Sequence, residues 1–129
     1  MSEEQPGTPA GDVYDWYTRG IKLLRSGNSR AAALVLQRVI EAEPHSRAAR
    51  EALARAEFDS GEFATARAHF ARNLQVDPAD DYAAFGVGLC SSRLGEHGVA
   101  VEHLAMAVAM RPGNHHYSTA LRAARVRAQ

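Results

Sequence analysis

The sequence predicts an all-α protein, because four sets of residues recur at intervals of 34 positions along its 129 residues. A fixed period of this length is typical of a solenoid of stacked helical repeats. The recurring sets are the prolines Pro44, Pro78 and Pro112, the glycines Gly27, Gly61 and Gly95, the alanines Ala32, Ala66 and Ala100, and the large apolar residues Leu36, Phe70 and Leu104. In this frame the repeats run over residues 13–46, 47–80 and 81–114.

Each repeat is expected to contain two helices. In the first repeat Trp16, Gly20 and Leu23 recur at helical spacing, and Gly27 ends the helix as a C-terminal cap. An apolar stripe then predicts a second helix, which Pro44 terminates. Residue types that favour the N-cap position precede the first helices at the same interval: Asp12, Ser46, Asp80 and Asn114. Small residues are expected to face the recurring alanines across each hairpin and so allow close approach: Gly20, Ala54 and Gly88.

The two ends of the chain differ from the repeats. After Asn114 the pattern predicts one more helix, over 115–128, with Tyr117, Leu121 and Ala124 on its apolar face. No further glycine or proline completes a fourth repeat, so this helix is interpreted as a cap. Its exposed side is expected to carry three arginines: Arg122, Arg125 and Arg127. Residues 1–11 are polar and are predicted to form a disordered tail, which leaves residues 12–129 as the folded domain.

Composition bounds the function and the location. Fifteen basic and fifteen acidic residues balance, so no global field favours nucleic acid or an anionic membrane. No apolar run approaches the roughly 20 residues that span a bilayer, and residues 1–11 do not resemble a secretory leader. Cys90 is the sole cysteine, which fits a reducing compartment. These features predict a cytoplasmic protein. Lys22 is the only lysine among the fifteen basic residues, and this preference for arginine indicates a bacterial source.

No arrangement of residues predicts a catalytic or metal site. His97 and His103 are six residues apart and do not share a helix face, and His115 and His116 are adjacent. Cys90 follows a helical leucine and no motif activates it, so it is predicted to be a small core thiol. We therefore expect no enzymatic activity, no metal and no cofactor.

The repeat resembles that of tetratricopeptide repeat (TPR) proteins, whose pattern is Trp-x2-Leu-Gly-x2-Tyr, Ala-x3-Phe and Pro. Matching positions of the first repeat are Trp16, Gly20, Leu23, Ala32, Leu36 and Pro44. The second and third repeats depart at the two aromatic positions, where Arg50, Glu57, Ala84 and Ser91 stand. The resemblance implies a right-handed superhelix of three helix-turn-helix repeats with a C-terminal capping helix.

The resemblance also implies a binding groove, because the first helices of TPR repeats line the concave face. The implied groove residues are Tyr14, Tyr17, Ile21, Leu24 and Arg25 in the first repeat, Glu51, Arg55, Phe58 and Asp59 in the second, and Tyr82, Phe85, Leu89 and Arg93 in the third. So many apolar residues on one face indicate a binding surface for a protein or peptide segment with apolar anchors. Two alternatives stay open: Tyr14, Leu24 and Phe58 pack between neighbouring first helices, or the surface forms a homodimer.

Two finer expectations concern individual groove residues. TPR co-chaperones hold acidic peptide termini with Lys, Asn and Arg, but this chain has Tyr17, Ile21, Ala52, Tyr82 and Gly86 at those positions. It is therefore predicted not to bind an acidic C-terminal chaperone peptide. Tyr17 and Phe85 are further predicted to lie outside the core between hairpins.

Overall fold

The computed structural model describes residues 12–129, so the tail predicted at residues 1–11 lies outside the described residues. Within them the chain forms seven helices: α1 (Val13–Arg25), α2 (Ser29–Ala42), α3 (Arg47–Asp59), α4 (Phe63–Val76), α5 (Asp81–Arg93), α6 (His97–Met110) and α7 (His115–Arg127). The predicted all-α class and the arrangement of three helical pairs plus a cap are confirmed. None of these seven helices combines the length and apolar character needed to cross a membrane.

The residues that recur in the sequence set the ends of the helices. The predicted N-cap side chains accept hydrogen bonds from the backbone N–H three residues later, at Asp12, Ser46, Asp80 and Asn114. Gly27, Gly61 and Gly95 have φ of 85°, 84° and 81°, in the left-handed region that favours glycine. The second helix of each pair ends two residues before its proline, because proline disfavours helical geometry in the preceding residue.

Each helix packs mainly against the next one in the chain, and α1 with α3 and α5 with α7 add smaller contacts of longer range. This pattern of neighbour contacts is that of a solenoid. Leu36, Phe70 and Leu104 are buried between the helices, as are the three recurring alanines.

The large recurring side chains lie closest to two of the small residues. A Cβ atom on Gly20 would lie 2.6 Å from Leu36 Cγ, and one on Gly88 would lie 2.6 Å from Leu104 Cγ. The two glycines therefore make room for the large leucines, while Ala54 and Ala66 of the second repeat lie together in one buried cluster.

The capping helix docks as the sequence predicts. Tyr117, Leu121 and Ala124 are its buried residues, and the three arginines of its other side are exposed. The Tyr117 hydroxyl donates a hydrogen bond to Asp81 Oδ2 over 2.6 Å. Asp81 also forms an ion pair with Arg111 Nε at 3.1 Å, so α5, α7 and the loop between α6 and α7 meet at one carboxylate.

A candidate binding groove between α3 and α5

A pocket of about 250 Å³ lies between the first helices of the second and third repeats. Eight residues line it: Arg55, Phe58, Asp59, Phe70, Tyr82, Phe85, Gly86 and Leu89. Six of them belong to the set of groove residues that the resemblance implied. The fold therefore brings six of the eight groove residues implied for the second and third repeats together around one pocket.

Helical spacing explains how each wall is built. On α3, Glu51, Arg55 and Asp59 follow one another at intervals of four residues and share a face. On α5, Tyr82, Phe85 and Leu89 follow at intervals of three and four and face the opposite way across the pocket. The α3 wall is largely charged, whereas the α5 wall is aromatic and aliphatic.

Aromatic contacts fix the α5 wall in place. Phe70 and Tyr82 pack edge to face with ring centroids 5.9 Å apart, and Tyr82 and Phe85 follow at 6.0 Å. Phe85 in turn packs against Tyr117 of α7 at 4.7 Å. The prediction that Phe85 lies outside the core between helical pairs is therefore wrong, because the docked capping helix covers one side of its ring.

Arg93 lies at the rim of the groove. Its Cζ atom is 5.3 Å from the ring centroid of Phe58 and 5.2 Å from that of Phe63. The two rings pack edge to face at 5.1 Å. A guanidinium held over two aromatic rings is stabilised by cation–π attraction, which orders this rim.

The groove residues of the first repeat occupy a separate place. Tyr14 and Tyr17 line a second pocket of about 250 Å³, together with Val13, Val39, Glu43, Ser46 and Ala48. Tyr14 is 73% exposed. This pocket is open because Ala48 stands in the frame where the third repeat has Tyr82, and a methyl group cannot fill the space of a phenol ring.

The remaining residues of the first repeat face the core or the solvent. Leu24 is only 8% exposed and belongs to a cluster with Leu36 and Leu53, so the alternative of packing between first helices describes its place. Ile21 and Tyr17 are half-buried against the same cluster, which contradicts the expectation that Tyr17 lies outside it. Arg25 is exposed at the end of α1.

Burial changes the acid–base properties of two groove residues. Desolvation, and then the nearby Asp80 carboxylate, raise the pKa of Glu51 above its ordinary value. Desolvation also raises the pKa of Tyr82, and Glu51 and Asp59 act on the hydroxyl in the same direction. Glu51 thus lies close to the groove although it does not line the pocket itself.

Sequence reasoning missed a buried polar junction beside the groove. Arg50 Nη1 donates to Asn73 Oδ1 over 2.8 Å, and Asn73 Nδ2 donates to the Arg47 carbonyl over 3.1 Å. Arg50 also donates to the Pro44 carbonyl. Two signals could have revealed this network, namely an arginine at an aromatic position of the repeat and an asparagine within an apolar stripe.

The one cysteine, a candidate nucleophile by its chemistry, lies in the protein interior. Cys90 is buried, and desolvation raises the pKa of its thiol to about 11, so its thiolate is scarce at neutral pH. Within residues 12–129, no three His, Cys, Asp or Glu side chains form a group that could hold a metal ion.

The repeat geometry agrees with a family comparison. A model of the tetratricopeptide repeat family matches residues 17–75 and again residues 52–115, which together cover more than half of the chain. The chain belongs to the tetratricopeptide repeat family. The TPR fold is generally a non-catalytic scaffold for protein interactions. No curated protein sequence matches this TPR chain significantly.

Solved TPR structures share the fold at low sequence identity. The first TPR of Spaghetti (RPAP3), bound to the HSP90 peptide SRMEEVD, has a TM-score of 0.83 at 16% identity, covering 95% of this chain and 97% of that chain. MamA from Desulfovibrio magneticus RS-1 has a TM-score of 0.86 at 22% identity, covering 91% and 66%. The second TPR domain of human RPAP3, in complex with the HSP70 peptide SGPTIEEVD, has a TM-score of 0.81 at 18% identity, covering 88% and 94%. At these identities the likeness shows the TPR fold alone.

Proposed function

We propose that this TPR protein is a non-enzymatic scaffold that binds a segment of another protein in the groove between α3 and α5. The observation that carries the proposal is that six implied groove residues from both helices line one pocket. Its aromatic wall is held rigid by ring contacts, so binding there costs little side-chain entropy. TPR neighbours in complex with HSP90 and HSP70 peptides support peptide binding as the mode.

The chemistry of the groove favours apolar anchors over an acidic peptide terminus. At the positions where TPR co-chaperones carry Lys, Asn or Arg, this chain has Tyr17, Ile21, Ala52, Tyr82 and Gly86. Ala52 and Gly86 are also buried. Titration with the peptide SRMEEVD in a calorimeter is therefore expected to give no heat of binding, and micromolar affinity would contradict this part of the proposal.

The groove itself is tested with peptides selected from a random display library on the immobilised protein. The double variant Phe58→Ala/Leu89→Ala is expected to weaken the selected peptides by tenfold or more, because it removes apolar contact area from both walls. Tyr14→Ala is the matched control, since this exposed aromatic side chain lies in the other pocket. Circular dichroism checks that all variants stay helical.

Equal affinities of the double variant and the parent would overturn the groove proposal. The rival role, a homodimer formed through the same surface, predicts instead that light scattering shows a dimer which the double variant converts to a monomer. Cytoplasmic location, a bacterial source and the absence of nucleic-acid binding stay predictions from composition.

A further inference from the structure

The two walls of the groove differ in how fully their side chains are packed against other residues of the protein. The α5 side chains Tyr82 and Phe85 are each packed against other rings. The α3 wall presents Glu51, Arg55 and Asp59 in the order acid, base, acid, and successive members are about 6 Å apart along the axis. The charged wall is therefore regular in spacing and negative in sum.

Several charges elsewhere in the described chain form close ion pairs, whereas those of the α3 wall interact only at longer range. Arg47, Arg67 and Arg111 form ion pairs at 2.9–3.1 Å with carboxylates of neighbouring elements. Within residues 12–129, Glu51, Arg55 and Asp59 form no ion pair within 4 Å and no side-chain hydrogen bond.

The surroundings of Glu51 favour the approach of a cation. It is half-buried, and the carboxylates of Asp80 and Asp81 disfavour its ionised form. Arg55 and Arg47 act in the opposite direction, but Arg47 is already paired with Asp77 and Asp80. The guanidinium at the groove rim, that of Arg93, lies over two phenylalanine rings.

We propose that the segment bound in this groove is apolar on one side and carries a Lys or Arg side chain that pairs with Glu51. This inference rests on the proposed function, because it specifies the chemistry of the same site. A second carboxylate placed there would bury like charges together, which costs free energy, whereas a cation compensates the desolvation of Glu51. The cation also fixes the register of the segment along α3.

Three synthetic peptides of equal length test the inference. They share one stripe of Leu and Phe at helical spacing, and their polar positions are Lys in the first, Gln in the second and Glu in the third. Affinities are measured by fluorescence anisotropy on the full chain. We expect the Lys peptide to bind the parent at least tenfold more tightly than the Glu peptide.

Glu51→Gln is expected to reduce that preference to threefold or less. Glu102→Gln is the matched control, because Glu102 is an exposed acid of α6. An equal effect of the two substitutions would show a preference set by overall charge and would overturn the inference.

The two proposals fail in different ways. Similar binding of all three peptides, weakened alike by Leu89→Ala, would overturn the need for a cation and leave the groove in place. Failure of all three peptides to bind, or affinities that Leu89→Ala leaves unchanged, would overturn the groove and the inference together.

Discussion

The two junctions between repeats use the same positions with different side chains. Where the first repeat meets the second, Leu36 of α2 packs in one cluster with Ala52 of α3. Where the second meets the third, Phe70 of α4 fills the space beside Gly86 of α5. Each member of one pair occupies the same repeat position as its counterpart in the other. The larger side chain, Phe70, thus lies beside the smaller residue, Gly86. A gain in side-chain volume on one helix is offset by a loss on the other.

The acidic and basic residues are exchanged between the two junctions in the same way. Arg47 at the start of α3 pairs with Asp77 at 3.0 Å, whereas Asp81 at the start of α5 pairs with Arg111 at 3.1 Å. Both pairs join the same two repeat positions, and the acid and the base have changed places. The comparison teaches that the repeat preserves geometry and complementarity, while the side chain at one position is free to change when its partner changes too.

The largest loss of stability is expected when one residue of a closely packed pair is enlarged and the other is left unchanged. Gly88→Leu places a large side chain against Leu104, whose Cγ would lie 2.6 Å and whose backbone nitrogen 3.2 Å from the new Cβ. Because the backbone cannot retreat as a flexible side-chain end would, we expect a loss of about 3 kcal/mol or more in the free energy of unfolding. Urea denaturation measures it, and coincident curves for variant and parent would refute the frame of the repeat.

Gly86→Ala tests the exchange of volume at the second junction. A Cβ at this position would lie 2.5 Å from Phe70 Cδ1, so we expect a loss of about 1–3 kcal/mol. Adding Phe70→Leu recreates the pairing of the first junction and should recover part of that loss in a double-mutant cycle. Gly98→Ala is the control, since nothing lies within 4 Å of its Cβ position and alanine favours the helix. Strictly additive losses would show that the two positions do not compensate each other.

Tyr117→Phe tests the tie between α5 and the capping helix. It removes the 2.6 Å hydrogen bond to Asp81 from a side chain that is only 4% exposed. A bond to a charged acceptor at such a site contributes about 1.5 kcal/mol or more. Arg111→Gln removes the other partner of the same carboxylate, and because Arg111 is largely exposed we expect a smaller loss, below about 1 kcal/mol. The reverse order in thermal melts would contradict this ranking.

The smallest effect concerns Glu51, which, unlike the charged residues of the two junctions, forms no ion pair within 4 Å. Since desolvation raises the pKa of Glu51, the folded protein holds this proton more tightly than the unfolded chain, and stability falls as pH rises above the ordinary value of 4.5. Glu51→Gln is therefore expected to raise the melting temperature slightly at pH 7. The gain should vanish below about pH 4, where both states are protonated.

Sequence reasoning reached the fold because its signals act locally. A glycine with positive φ, a side chain that caps its own helix and a proline after a helix end each need no knowledge of the rest of the chain. The frame of the repeat then places them in three dimensions. The TPR resemblance, applied to that frame, implied the groove positions of the second and third repeats.

The remaining features depend on contacts between distant residues. Arg50 and Asn73 each look like a departure from the repeat, and only their juxtaposition across α3 and α4 shows that they satisfy each other. The burial of Leu24 depends on how closely α3 packs on α1 and α2. The cover over Phe85 depends on the docking of the capping helix. The departures from the pattern thus mark the places where the tertiary structure adds information.

The lone tryptophan and the lone cysteine lie in different repeats, Trp16 on α1 and Cys90 on α5. A solenoid whose helices contact mainly their neighbours can lose structure from one end before the other. Fluorescence of Trp16 reports on melting of the first repeat, and modification of the shielded Cys90 thiol reports on opening of the third. The native chain thereby contains two independent probes of folding cooperativity. Superimposed transitions from both would indicate a single cooperative unit, and separated transitions would reveal which end unravels first.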